Sequence, residues 1–265
     1  MGSWNKAIEL IKEQGRVAVA FSGGVDSALL LQLCVDALGT DNVLALTAVT
    51  LLNPARELKA ARQIASLCGA RLVEVQVGAL DVKEVRENPK DRCYHCKKAI
   101  FGTLKAMAQK EGYPALLDGS SASDRGDYRP GKRAAIELGV VSPFDLADIT
   151  KAEIREKSHE LGLPNWSAPA AACLASRIPY GTELTEEVLR RVEKAEDALI
   201  ALGFAGCRVR LHGNVARIEA PLVDLHLLVN DDTRVPLLAA LKPLGFDFIA
   251  LDLDGYRMGS LNRAE

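Results

Sequence analysis

Short apolar runs alternate with stretches of helical spacing along the first 160 or so residues. The runs at 16–21, 43–49, 71–77 and 115–117 are bounded by glycine and polar clusters, which predicts strands. Between them lie helical patterns. Residues 5–14 carry Ala7, Ile8 and Ile11 on one face, and 27–38, 54–68 and 99–110 continue the theme. Residues 132–138 read as a helix and 140–141 as a short strand. Residues 150–161 read as a helix opened by a Thr150–Glu153 capping box. Strands and helices in alternation imply a Rossmann-like α/β fold with a parallel sheet covered on both faces.

The pattern changes at 163–182. Pro164, Pro169, Pro179, Gly181 and a run of alanines predict a loop or crossing segment. A long amphipathic helix is expected at 185–202, with Leu189, Val192, Leu199 and Leu202 among its apolar positions. Strands at 207–211 and 215–219 flank a His212-Gly213-Asn214 turn. Helices at 223–229 and 235–244 and a strand at 246–253 complete a smaller α/β domain. The expected division is 1–165 and 166–265.

One corner carries chemistry at once. Ser22-Gly23-Gly24-Val25-Asp26-Ser27 follows the first strand and opens the next helix. Two glycines let backbone N–H groups approach an anion, and the helix start favours phosphate. No lysine follows the glycines, so this is not a Walker loop. In parallel sheets ligands bind at the carboxyl ends of strands, where this loop, Ala48-Val49 and Asp118-Gly119 all fall.

Composition narrows the setting. The 265 residues are 48% hydrophobic and 26% charged, with net charge −2, so no global field draws nucleic acid or anionic membrane. No apolar run approaches the roughly 20 residues that span a bilayer, and residues 1–16 lack an apolar signal core. The cytoplasm is the expected location. Six cysteines then argue for metal or thiol chemistry before disulfides.

Cys93 and Cys96 form a Cys-x-x-Cys at a helix start beside Arg92, Lys97 and Lys98. Cys173, in Ala-Cys-Leu-Ala-Ser-Arg, is the best third partner. Three thiolates suit a four-iron–four-sulfur (4Fe-4S) cluster with an open iron, while a redox dithiol or a structural zinc corner also fits the pair. Cys34 and Cys68 sit among apolar helical residues and Cys207 opens a strand, so these three read as structural. His95 is poorly placed to join the thiols, and His159, His212 and His226 lack ligand spacing.

With these pieces together, the chain resembles the LarE family. These are ATP-dependent sulfur transferases of the ATP pyrophosphatase superfamily that help make the nickel-pincer nucleotide of lactate racemase. The likeness rests on 22–27, on Asn88-Pro89 with 92–98, and on 126–131 (Gly-Asp-Tyr-Arg-Pro-Gly). It also rests on 172–181, 208–210, 216–219 and 251–257, the last ending in Asp-Gly-Tyr-Arg. Where many relatives carry Gly-Thr-Asn, this chain has Gly119-Ser120-Ser121.

The resemblance implies that ATP adenylates the carboxylates of pyridinium-3,5-biscarboxylic acid mononucleotide and that sulfur then displaces AMP. It implies ATP phosphates and Mg²⁺ at Ser22, Gly23, Gly24, Asp26 and Ser27, and adenosine at Ala20 and Thr47. It assigns substrate carboxylate or phosphate to Arg177 and the mononucleotide phosphate to Arg208 and Arg210. Cys93, Cys96 and Cys173 would hold the cluster whose extra sulfide is transferred; in the other branch of the family, a lone cysteine at the Cys173 position gives up its own sulfur. A sulfur donor protein or free sulfide, and a homo-oligomer, belong to the same expectation. The competing readings are a tRNA thiolase, which needs a basic face, an ammonia-using ligase like NAD synthetase, and a zinc-stabilised nucleotide-binding module.

Overall fold

The computed structural model describes residues 2–125, 130–169 and 172–257. The chain divides into two compact units, 1–85 with 91–171, and 86–90 with 172–265. The 126–129 part of the Gly-Asp-Tyr-Arg-Pro-Gly motif, and two of the alanines before Cys173, lie outside the described residues.

The first unit contains helices α1 (Ser3–Lys12), α2 (Val25–Leu38), α3 (Ala55–Leu67), α4 (Lys83–Arg86, whose last residue opens the excursion into the second unit) and α5 (Arg92–Lys110). It continues with α6 (Pro130–Glu137), α7 (Pro143–Leu146) and α8 (Lys151–Glu160). Its strands β1 (Val17–Ala20), β2 (Val43–Val49), β3 (Arg71–Gln76) and β4 (Ala115–Leu117) form a parallel sheet in the order β3-β2-β1-β4. Val141 extends the sheet through a parallel bridge to Leu117. β1 to β3 run outward on one side and β4 returns to the other, so the strand order reverses between β1 and β4. Ligand crevices form at such a reversal.

Both faces of the sheet are covered, as the apolar strands require. Val17 and Val19 face one core with Leu29, Leu30 and Phe144. Ala18, Leu44 and Leu46 face another with Phe101, Leu104 and Tyr113. α2 is buried nearly all round, which explains its run of leucines. The Thr150–Glu153 capping box is present, each partner satisfying the other's backbone.

α5 starts at Arg92, seven residues before the expected start at Ala99. The early turn is rich in charge and cysteine and shows no apolar period, yet Tyr94 supplies a rung in line with Phe101, Leu104 and Ala108. Tyr94 is buried, its hydroxyl 2.7 Å from Glu137 on α6, under the Arg133 guanidinium.

The second unit carries α9 (Glu186–Ala201), α10 (Leu225–Leu228) and α11 (Asp231–Leu241) with strands β5 (Arg208–His212), β6 (Val215–Glu219) and β7 (Phe248–Leu251). β5 and β6 form the expected hairpin, and β7 joins β6 in parallel. Among the described residues, no helix is long and apolar enough to cross a membrane.

Candidate functional site

β1 ends at the reversal of strand order, and the loop after it is built around two close approaches. Gly23 has φ +77°, and a Cβ there would lie 2.8 Å from Ala61 Cα on α3. Only glycine meets both demands. Gly119, after β4, comes equally near: a Cβ there would lie 2.8 Å from the Asp26 carbonyl carbon. The two strand ends thus close on the start of α2.

Gly24 is the N-cap of α2 and offers no side chain to its first turn. The opening N–H groups of a helix have no partner within it, so this start is left for an anion. The serines shape the loop from inside. Ser22 N–H and Oγ lie 3.2 and 3.1 Å from Ser27 Oγ, and Gly24 N–H donates to Ser22 Oγ. Asn165 Nδ2 donates to Gly23 O at 2.9 Å. Thr47 is buried, and its hydroxyl donates to Phe21 O at 2.8 Å, so its visible task is to hold the loop's first residue. Ala20 closes β1 and is half-buried.

The structure adds a pair that the sequence left unassigned. Lys151 Nζ lies 3.2 Å from the buried Asp124 and 4.0 Å from Asp26. Asp124 also accepts from Ser121 N–H and Oγ, while Ser120 and Ser142 hydroxyls donate to Asp118. The Gly-Ser-Ser variant therefore supplies its own hydrogen bonds. Lys151 was hidden because it is 125 positions from Asp26 and resembles any lysine in a first helical turn.

The six cysteines fall into two classes. Cys34, Cys68 and Cys207 are buried. Burial drives the Cys34 thiol far above its ordinary value. Burial and then the Asp36 charge push Cys68 up to about 11. Burial and then Asp224 push Cys207 up to about 12. Cys93 is exposed, and Cys96 and Cys173 are half-buried. Cys93 and Cys96 occupy the first turns of α5, with Arg92 Nη2 3.8 Å from the Cys93 sulfur. His95 sits 3.4 Å from Asp91. Cys173 belongs to the second unit and caps a 3-10 turn, Leu174–Arg177. Within either unit, the described residues form no cluster of three or more His, Cys, Asp or Glu arranged to hold a metal.

The arginines separate as well. Arg177 is 2% exposed. Its guanidinium bonds both oxygens of Glu196, and the carbonyls of Ala172 and Cys173 and the Ser176 hydroxyl take Nη1. Each of its three nitrogens has a partner within the chain, so Arg177 organises the turn after Cys173. Burial alone would raise the Glu196 carboxyl; Arg177, then Arg208 and the Val209 N–H, more than offset it and hold its pKa below the ordinary range.

Arg208 and Arg210 share one face of β5, as alternation requires. Arg210 is spoken for by Glu219 and Ser176 O. Arg208 differs. Its Nη1 donates to Cys207 O, but its Nε is buried with no partner. Burial, then the Arg177 charge, push its pKa down. A buried guanidinium short of counter-charge is a receptor for an anion.

Comparison with known proteins agrees with this layout. The NAD synthase family model matches residues 7–107, which span the glycine corner. The chain is 38% identical over 257 residues to the pyridinium-3,5-bisthiocarboxylic acid mononucleotide synthase of Lactiplantibacillus plantarum, covering 96% of this chain and 92% of that one. It is 41% identical to an uncharacterised protein of Synechocystis, over 95% and 93% of the two chains. A more distant relative, the NH3-dependent NAD+ synthetase of Methanococcoides burtonii, is 28% identical over 55% of this chain and 57% of its own.

Proposed function

The chain belongs to the pyridinium-3,5-bisthiocarboxylic acid mononucleotide synthase family, and we propose that it is an ATP-dependent sulfurtransferase of nickel-pincer nucleotide synthesis. It adenylates the ring carboxylates of pyridinium-3,5-biscarboxylic acid mononucleotide and converts them to thiocarboxylates. The observation that carries the reading is the uncapped start of α2 at the reversal of strand order, where Gly23 and Gly119 admit close backbone approach.

A carboxylate is a poor electrophile because its leaving group would be oxide. Attack of a carboxylate oxygen on the α-phosphorus of ATP breaks the bond to pyrophosphate and leaves an acyl adenylate. Sulfide then attacks the acyl carbon, the carbon–oxygen bond breaks, and AMP leaves. The loop N–H groups stabilise charge gathering on pyrophosphate, with Lys151 adding a cation beside Asp26; Asp26 would hold a Mg²⁺, which would supply further positive charge there. Arg208 takes the phosphate of the mononucleotide, and Arg177 keeps the Cys173 turn in shape.

Cys93, Cys96 and Cys173 are the three thiols left at least partly accessible, and two of them open a helix beside a guanidinium. That donor set fits a 4Fe-4S cluster. Cys93, Cys96 and Cys173 would hold such a cluster, and it would supply the sulfide.

Anaerobic purification with iron and sulfide analysis tests this. About four irons per chain are expected, lost in Cys93→Ser, Cys96→Ser and Cys173→Ser, each with pyrophosphate release retained. No iron after reconstitution removes the cluster. Loss of the mass of H₂S from Cys173 after turnover then identifies a sacrificial donor.

A further inference from the structure

Two adjacent glycines make the corner after β1 possible, and they also make it loose. Gly23 and Gly24 lack the Cβ that restricts other residues, so the loop holds its shape only through its contacts. A loop that must be ordered when its ligand arrives binds more weakly than one fixed beforehand. Ala61 crowds Gly23 from the α3 side, where a Cβ would have no room. A second contact comes from 142 positions away: Asn165 Nδ2 donates to Gly23 O at 2.9 Å. Gly23, Ala61 and Asn165 all lie in the first unit.

Asn165 is itself held in place. It sits in the turn after α8, where Trp166 N–H donates to Leu163 O at 3.2 Å and Ala168 N–H to Asn165 O at 2.9 Å. Arg155 on α8 donates to Trp166 O and to Ala168 O, each at 2.8 Å. The amide is therefore offered from a braced frame. Its orientation follows from chemistry: a carbonyl oxygen only accepts, so the nitrogen faces Gly23 O. That leaves Asn165 Oδ1 buried with no hydrogen-bond partner. A buried acceptor in that state weighs against stability and calls for an explanation. An apolar side chain of the same size would avoid it, and would also lose the N–H that reaches Gly23.

We propose that Asn165 is a positioning residue for the phosphate loop. The peptide that joins Gly23 to Gly24 is planar, with its carbonyl and its N–H on opposite sides. Holding Gly23 O toward the turn after α8 fixes that plane, and with it the direction in which the chain enters α2. The N–H groups at the start of α2 are thereby aimed before an anion binds, and Asn165 acts on the anion only through them. This rests on the reading that the glycine corner receives the ATP phosphates.

The test uses the full chain and calorimetry with two probes, inorganic pyrophosphate with magnesium, and AMP as the control. Asn165→Leu keeps the bulk and removes the donor, and Asn165→Ala removes both. Affinity for pyrophosphate is expected to fall about 3- to 10-fold in each, the scale of one neutral hydrogen bond. AMP, which lacks the two outer phosphates, should bind as it does to wild type. The thermal midpoint of Asn165→Leu should hold or rise, because the unpartnered Oδ1 is gone. A merely structural role gives a lower thermal midpoint with pyrophosphate affinity unchanged, and unchanged affinity in folded Asn165→Leu overturns the proposal. An equal fall for AMP and pyrophosphate also overturns it, since that reports a general loosening of the unit. Failure of the underlying reading looks different: wild type binds no pyrophosphate, or Gly23→Ala binds it as tightly as wild type.

Discussion

Two regions of this protein are proposed to meet anions, by opposite means. The glycine corner of the first unit uses backbone: N–H groups, an uncapped helix and no side-chain charge of its own making the contact. The second unit offers buried guanidinium groups, Arg208 and Arg210 on β5 and Arg177 on the turn after Cys173, balanced by Glu196 and Glu219. Backbone donors are neutral and cost little when nothing is bound. Buried arginines must be compensated inside the fold, so most of them serve structure, and Arg208, whose Nε has no hydrogen-bond partner, is the one proposed to meet the ligand. Residue type alone does not tell the two apart; the partner count does.

The sharpest way to break that comparison is to remove a paired arginine. Arg177→Ala strands Glu196 in a site where both side chains are at most 2% exposed, and should destabilise the second unit by about 3–5 kcal/mol. Denaturant unfolding checks it; a loss under about 1 kcal/mol, the range of an exposed pair, would remove the distinction. Gly23→Ala forces a Cβ onto the α3 backbone at φ +77°. Pyrophosphate release should drop roughly 10²- to 10³-fold, the scale for losing one oriented donor at a developing anion, and denaturant unfolding should show a loss of about 1–3 kcal/mol from the overpacked contact.

Arg208→Gln should do the reverse of Arg177→Ala. Its thermal midpoint should hold or rise, because an under-compensated buried cation is gone. The KM for the mononucleotide should rise, equivalent to about 1.5–3 kcal/mol for a charged hydrogen bond. An unchanged KM would move the phosphate elsewhere. The smallest effect concerns acid. Glu196 has a pKa below its unfolded value, so its contribution is present above the unfolded carboxylate range, about 4.3, and is lost as pH falls through the lower folded value. Stability should be flat from neutral pH down to that range and fall below it, with a shallower fall in Glu196→Gln.

Much of the first unit was legible because its signals are local. β2 spans its expected run, and the capping box at Thr150 formed as written. The start of α5 was not legible: its first turn is apolar only at Tyr94, and what fixes that turn is packing on α6. Lys151 was invisible for a related reason, since its meaning is proximity to Asp26 across 125 positions. The structural task of Arg177 was not legible, because a charge beside a cysteine shows its partners only in the folded chain.

By itself, then, the sequence determined the α/β alternation, the glycine corner and the split between cysteines in apolar helices and cysteines beside charge. Periodicity and backbone freedom are properties of neighbouring residues, and neighbours are what a sequence displays. Only the tertiary structure decided that Arg208 Nε is buried without a hydrogen-bond partner, which lysine stands beside Asp26, and that residues 86–90 fold into the other unit with Asn88 bonded to 178–181. Those depend on counter-charges and carbonyls brought from distant stretches, and burial makes each such pairing or its absence energetically consequential.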